Sequence, residues 1–316
     1  MTAYLARRLL FALFLVFAVS SSAMILARIA PGDYVTEALG PGAHPDALAQ
    51  ARARYGLDRS VFAQYGDWLS HAVRFDFGRS MANDRPVGEL IPERAANTAL
   101  LAVSALTLAT LIGIPLGIIS GSRQGGLLTT TIRALSIVLL SMPPLLTSLF
   151  LVFLAARTGW LPIGGMRSAG APTGLTLDLI RHLIVPATAL ALPLAAMFER
   201  LQSQAIAETI GQPFVLATLA RGVPRSRVIW RDALKAALRP IASVYGLVVG
   251  TLLSGSFAVE IMTSWPGLGR LMLDALVARD VYLVAGCAAV GSVFLAAGTL
   301  LSDALLAAVD PRATEA

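Results

Sequence analysis

Six stretches of this 316-residue chain contain no Asp, Glu, Lys, Arg or His: 9–27, 98–122, 134–156, 183–198, 241–259 and 281–302. Nothing in the sequence limits the fold more. A helix needs about 20 apolar residues to cross a hydrocarbon core of roughly 30 Å, and five of the runs reach that length or nearly so. In a medium without water each backbone polar group has to be satisfied within the segment, which makes these runs helices. The fourth run is short and is interrupted by Pro186 and Pro193, but flanking residues such as His182 can extend it into a span. Charged residues make up 14% of the chain, against roughly 25% in soluble domains. The expectation is an all-α polytopic membrane protein with about six transmembrane helices.

The first run can also be read as a secretory signal, with Arg7 and Arg8 as its charged end and Ser22-Ala23 near a cleavage site. It is long for a signal core, and its removal would leave five spans with the two ends on opposite sides. A first span is therefore the favoured reading. Loop charges then orient the chain. Arg7, Arg8, Arg123 and Arg133 fall on one side, together with a loop carrying Arg200, Arg221, Arg225, Arg227, Arg231, Lys235 and Arg239. By the positive-inside bias that side is cytoplasmic. The expected organisation is a cytoplasmic N-terminus and first span in 1–30, an extracytoplasmic loop in 31–97, and a membrane core in 98–316. That core holds a cytoplasmic loop at 199–240, and both termini are cytoplasmic.

The net charge of +6 does not point to nucleic acid, because the basic residues are spread along loops without an aromatic-basic stretch. Membrane lipid headgroups are the expected partner of such flanks. Cys287 is the only cysteine, and His44, His71 and His182 lack metal-ligand spacing. Lys235 is the only lysine and follows Leu234, so the chain has no Gly-Lys-Ser/Thr phosphate loop. The serines of Leu253-Ser254-Gly255-Ser256-Phe257 have no base nearby in sequence. These absences count against an enzyme in the membrane. The uncharged span centres count against a proton-coupled carrier, although backbone carbonyls can bind sodium. A transporter without its own energy source needs a partner that supplies it. Gly113, Gly117 and Gly121, and likewise Gly246 and Gly250, stand four apart, a spacing for close helix contact. Packing within this chain is favoured over packing against a second subunit.

The loop at 199–240 is the most informative stretch. Pro213 suits a first helical position, Phe214 to Arg221 continue the helix, and Gly222 with Val223-Pro224 stops it. A second helix is expected from Pro224 to Arg239, with Trp230, Ala233, Leu234, Ala237 and Leu238 on one face, running into span five. Physics alone leaves two readings open: an amphipathic helix pair lying on the membrane, or a pair that docks in a groove of a cytoplasmic protein.

This arrangement resembles the permease subunits of bacterial ABC importers, whose cytoplasmic loop ends a short helix on glycine. Ala217-Thr218-Leu219-Ala220-Arg221-Gly222 is similar to the degenerate form of that loop in the dipeptide/oligopeptide branch. The rest follows in order. The first stretch of matches is Ala30-Pro31-Gly32-Asp33, Tyr55-Gly56-Leu57-Asp58, Gln64-Tyr65-Gly66-Asp67-Trp68-Leu69, Asp76-Phe77-Gly78 and Arg85-Pro86-Val87. Gly113-Ile114-Pro115-Leu116-Gly117, Gly159-Trp160-Leu161-Pro162, Ser264-Trp265-Pro266-Gly267-Leu268-Gly269-Arg270 and Asp310-Pro311-Arg312 complete the set. Each motif is weak, but the colinear set is specific to the first of the two permeases of that branch. Tyr34 departs from it, standing where a second proline is common, and Leu216 and Leu219 replace polar or basic residues, so the partner groove is expected to be more apolar than usual.

The resemblance implies a type I ABC importer permease for dipeptides or oligopeptides, with nickel complexes or glutathione as alternative cargo. It implies a homologous second permease, two cytoplasmic ATP-binding subunits that carry ATP and Mg, and an extracytoplasmic solute-binding protein. This chain would bind no cofactor. Phe214, Leu216, Ala217, Leu219, Ala220, Arg221 and Gly222 would couple it to the ATPase. Two further sites are expected. Trp265, Pro266 and Gly267 form either a rigid connector or an external gate facing the binding protein. Ser141, Met142, Pro143, Pro144 and Thr147 break span three and either line the translocation path or form a packed kink.

Overall fold

The structure is a computed structural model, and it describes residues 2–40, 42–74, 76–123, 125–170 and 176–309. The Asp310-Pro311-Arg312 motif lies outside them. Among the described residues the regular structure is helical apart from one isolated bridge, Arg79 with Pro86. The chain divides into two compact units, Met1–Thr98 with Pro266–Ala296, and Ala99–Trp265 with Ala297–Ala316.

In the first unit, α1 (Thr2–Ile29) is followed by three short helices, α2 (Tyr34–Leu39), α3 (Pro45–Arg54) and α4 (Val61–Ala72). The start of α5 (Val87–Gly121), α13 (Leu268–Val277) and most of α14 (Val281–Val309) complete it. The motifs of the 31–97 stretch are its fasteners. Asp33 caps α2 by accepting from Thr36 N at 2.8 Å and receives Arg52 Nε at 2.7 Å. Tyr34 packs edge-on against Tyr55, with ring centroids 5.2 Å apart. Arg28 donates to Leu57 O at 2.6 Å, and Tyr65 OH to Ser21 Oγ at 2.9 Å. Trp68 is buried with Met24, Val281 and Ala285. Asp280, fully buried, accepts from Ser80 Oγ at 2.6 Å and from Leu283 N at 3.1 Å, which ties the loop to the start of α14. Asn97 Nδ2 donates to Pro266 O at 2.9 Å, and Leu268 N to Thr98 Oγ1 at 2.8 Å.

In the second unit, α8 (Leu177–Ile210) is the central element. Against it pack α6 (Leu127–Leu140), α7 (Pro144–Thr158) and α12 (Arg239–Met262). The glycine ridge of α5 also meets α8. A Cβ at Gly113 would stand 2.5 Å from Ala195 O, at Gly117 2.6 Å from Gln202 Cβ, and at Gly121 2.4 Å from Ser203 O. The ridge therefore packs within this chain, as favoured from its spacing.

Among the described residues four helices are long and apolar enough to cross a membrane: Ala6–Ile29, Val87–Gly121, Leu177–Ile210 and Val281–Ala304. Two bent pairs bring the total to six if each is one span: Leu127–Leu140 with Pro144–Thr158, bent by 104°, and Arg225–Ala237 with Arg239–Gly250, bent by 53°. Leu9, Leu10, Phe11, Leu13 and Phe14 of α1 lie exposed, a surface suited to lipid and not to water.

Two expectations change here. Pro186 and Pro193 do not interrupt the fourth span, because α8 runs through both. A helical proline costs about 3 kcal/mol. Buried Val185, Ala187, Ala189, Leu190 and Ala191 surround the first proline, and their close packing offsets that cost. The span also does not end where its charge-free run ends. Glu199 follows Phe198, is 2% exposed, and accepts a hydrogen bond from Ser120 Oγ at 2.5 Å. One buried carboxylate therefore sits inside this helix, satisfied by a neighbour.

Candidate functional site

The loop after α8 builds a small platform in the second unit. At Gly211 and Gln212 the backbone leaves the helix, and Pro213 opens α9 (Pro213–Ala220), its fixed φ fitting the first turn. The helix stops as its sequence requires. Gly222 takes φ +82°, and its N–H returns to Leu219 O at 2.9 Å. The chain re-enters helix at α10 (Arg225–Arg227), passes through a π-helical turn (Val228–Ala233) and finishes in α11 (Leu234–Ala237).

Side-chain direction divides α9 in two. Val215 points inward at 1% exposure, in a cluster with Ile118 of α5, Ala205 and Ile206 of α8, and Val228, Ile229, Ala233 and Ala237 of the following stretch. Leu219 packs on the edge of that cluster and is partly buried. Phe214 and Leu216 face outward, 48% and 53% exposed, and Ala217, Ala220, Arg221 and Gly222 are exposed with them. Six of the seven residues expected to couple are thus exposed, and Leu219 is partly buried. Val215 was not singled out from sequence, because Phe214, Val215 and Leu216 are all apolar and give no periodicity.

The following stretch departs from expectation in two ways. Its inward face is Val228, Ile229, Ala233 and Ala237, whereas Trp230 is 49% exposed. A π-turn closes i→i+5 bonds and rotates the side chains relative to an α-helical register, which moves Trp230 off the apolar face. The stretch also does not run straight into the fifth span. A bend of 53° separates it from α12 at Leu238 and Arg239. The platform is instead tied to α5: Arg225 Nη2 donates to Ser122 O at 3.1 Å, and Arg133 Nη2 of α6 to Ser120 O at 3.2 Å. Both guanidinium groups satisfy carbonyls at the C-terminal end of α5, where cations are favoured.

The break between α6 and α7 lies at Ser141, Met142 and Pro143. Residues before proline avoid the helical region, so α6 ends at Leu140 and α7 starts at Pro144. Ser141 and Pro143 are exposed, Met142 and Pro144 are partly buried, and Thr147 is buried at 3% with its Oγ1 donating to Pro143 O. Ser141 and Thr147 therefore sit in different surroundings. A cleft of about 410 Å³ between α6 and α8 begins one step earlier, at Leu140, and holds Arg133, Glu199 and Arg200.

Trp265 is fully buried in the core of the second unit, its N–H donating to Glu260 O at 2.9 Å. It offers no surface to a partner. Gly267 is also buried, and Pro266 is partly buried. Among the described residues no group of three or more His, Cys, Asp or Glu side chains is placed to hold a metal ion.

Comparison with known proteins adds to this geometry. A family profile described as binding-protein-dependent transport system inner membrane component matches residues 113–315, and its N-terminal companion matches residues 1–102. The oligopeptide transport system permease protein AppB of Bacillus subtilis is 32% identical over 314 residues, 99% of each chain. OppB of Mycobacterium tuberculosis, named an oligopeptide transport system permease protein, is 34% identical over 324 residues, again 99% of each. The dipeptide transport system permease protein DppB of Escherichia coli is 32% identical over 304 residues, 89% of this chain and 90% of its own.

Proposed function

Because this chain belongs to the binding-protein-dependent transport system inner membrane components, we propose that it forms half of the path of an ATP-driven importer for small peptides, with α9 as the helix on which a cytoplasmic ATPase acts. One observation carries this reading. An eight-residue helix leaves Phe214 and Leu216 exposed while Val215, between them, is buried in a cluster with residues of both α5 and α8. A partner that grips the outer face moves two membrane helices through the inner one.

Several features support the rest. Relatives along the whole chain are named for oligopeptide and dipeptide transport, and this points to peptide cargo. The loop at 199–240 holds seven basic residues against three acidic ones, Glu199, Glu208 and Asp232, which favours a cytoplasmic loop and cytoplasmic termini. The 31–97 stretch then lies outside, where a solute-binding protein delivers cargo. A second permease supplies the other half of the path, and two ATPase subunits carry ATP and Mg, since this chain has no phosphate loop of its own. Ser141, Met142 and Pro143 border the path at the α6–α7 break, beside the cleft that holds Arg133, Glu199 and Arg200. Trp265, Pro266 and Gly267 serve as a rigid connector.

Burying a Phe side chain is worth about 1.5–3 kcal/mol, so Phe214→Ala should weaken ATPase retention about tenfold or more. The measurement is the amount of ATPase that co-purifies with this chain from membranes. Equal retention by the variant and the parent would remove α9 from the docking surface.

A further inference from the structure

The outward side of the platform is not only apolar. A groove of about 680 Å³ runs between α9 and the stretch that follows it, walled by Phe214 and Ala217 on one side and by Arg231 and Lys235 on the other. Arg221 and Asp232 complete the charged lining, so three cations share the groove with one carboxylate. Arg221 donates to Thr218 Oγ1 at 3.1 Å. The side chains of Arg231, Asp232 and Lys235 form no hydrogen bond or ion pair among the described residues. Arg221, Arg231 and Lys235 are exposed. Like charges gathered in a concavity raise the local potential and are held apart only by water. A cleft of that sign beside an exposed aromatic is the arrangement of a binding hot spot, an apolar anchor with a charged rim.

We propose that this groove receives an acidic side chain of the ATPase, an Asp or Glu on a protruding segment, held between the Arg231 guanidinium and the Lys235 ammonium while Phe214 packs beside it. The proposal rests on α9 being the coupling element and adds the chemistry of what it couples to. An arginine fork matches a carboxylate in two parallel hydrogen bonds. An anionic lipid surface is the competing occupant. It is flat on this scale and meets convex faces, whereas a concavity between two helices is filled by a segment that protrudes.

The chain is well suited to a direct test. Lys235 is its only lysine, so apart from the N-terminal amine every amide bond that a carbodiimide forms between an amine of this chain and a carboxylate runs through the groove. The complex purified from membranes is treated with carbodiimide and its cross-linked peptides are sequenced by mass spectrometry. The expected product joins Lys235 to an Asp or Glu of a chain that carries a phosphate loop. In parallel, Arg231→Glu with Lys235→Glu should lower ATPase retention about tenfold, while Arg227→Glu, exposed on the same stretch but outside the groove, should change it less than about twofold. Retention of the ATPase by the double variant, or cross-links from Lys235 only to Asp232 of its own chain in an intact complex, would overturn the proposal and leave α9 as the coupling element. Shielding of Lys235 from amine acylation in phosphatidylglycerol nanodiscs without ATPase, and no further shielding with it, would assign the groove to lipid and overturn the proposal too. Absence of any ATPase with the parent chain is a separate result, and it would remove the coupling reading itself.

Discussion

Gly222 sets the shape of the platform by its backbone alone. Nothing stands within 4 Å of where its Cβ would be, and its φ is +82°. A side chain there meets torsional strain and no neighbour. A left-handed L-residue costs about 1–2 kcal/mol, and asparagine bears it more readily than a β-branched residue. Gly222→Val should therefore loosen α9, seen as faster amide exchange over 213–222, and Gly222→Asn should do so only weakly. Equal exchange in the two variants would contradict the torsional account. Asp33, in the other unit, is a second residue whose role is chemical. Its burial opposes ionisation, but hydrogen bonds from Thr36 and Arg52 outweigh that and hold its pKa below the usual carboxylate value. A depressed folded-state pKa stabilises above the unfolded value, about 3.9, and that stability is lost as pH falls through the folded value. Asp33→Asn should lower the unfolding temperature in detergent at pH 7, by an amount equivalent to about 1 kcal/mol, as its charge-assisted hydrogen bonds weaken. The gap between variant and parent should close as the pH falls through that depressed folded-state value. A gap that persists there would show that the charge is not its source.

At the scale of elements, the break between α6 and α7 divides two residues that looked alike in the sequence. Ser141 ends α6 on an exposed surface, and Thr147 is buried one turn into α7. In a Cys287→Ser background, Ser141→Cys should react readily with a small aqueous thiol reagent in the assembled transporter. Thr147→Cys should react at least about tenfold more slowly, since its side chain is as closed off as a core residue. Full protection of Ser141 in every transport state would place the path elsewhere, and fast reaction at Thr147 would contradict its burial. Where elements stop was only partly legible. Pro213 and Gly222 bounded α9 because each acts on its own backbone, whatever surrounds it. The extent of α8 was not legible. Its continuation past Glu199 brings in Ser120, 79 residues away in sequence, and it runs through Pro186 in a buried stretch of its own residues. The π-turn at Val228–Ala233 left no sequence signal, so Trp230 was placed on the wrong face.

For the whole molecule, the six charge-free runs sufficed for an all-helical membrane protein, because the bilayer allows few other answers. They did not give the form of the candidate spans: among the described residues four are single helices, and the others are bent helix pairs. The candidate site was legible as a short apolar helix in a basic loop. The internal route was not. The basic stretch bends by 53° before the fifth span, and Val215 instead joins α9 to α5 and α8. On the proposed reading, force enters at Phe214 and Leu216 and reaches the membrane helices through Val215. The most direct measurement is peptide uptake by proteoliposomes holding the complete complex, with binding protein and peptide inside or outside as appropriate and ATP supplied to the ATPase side. The parent should accumulate peptide only with ATP. Phe214→Ala with Leu216→Ala should insert normally but lose uptake about tenfold or more, since two anchors are removed. Uptake by that double variant at the parental rate, or accumulation by this chain without an ATPase, would contradict the account.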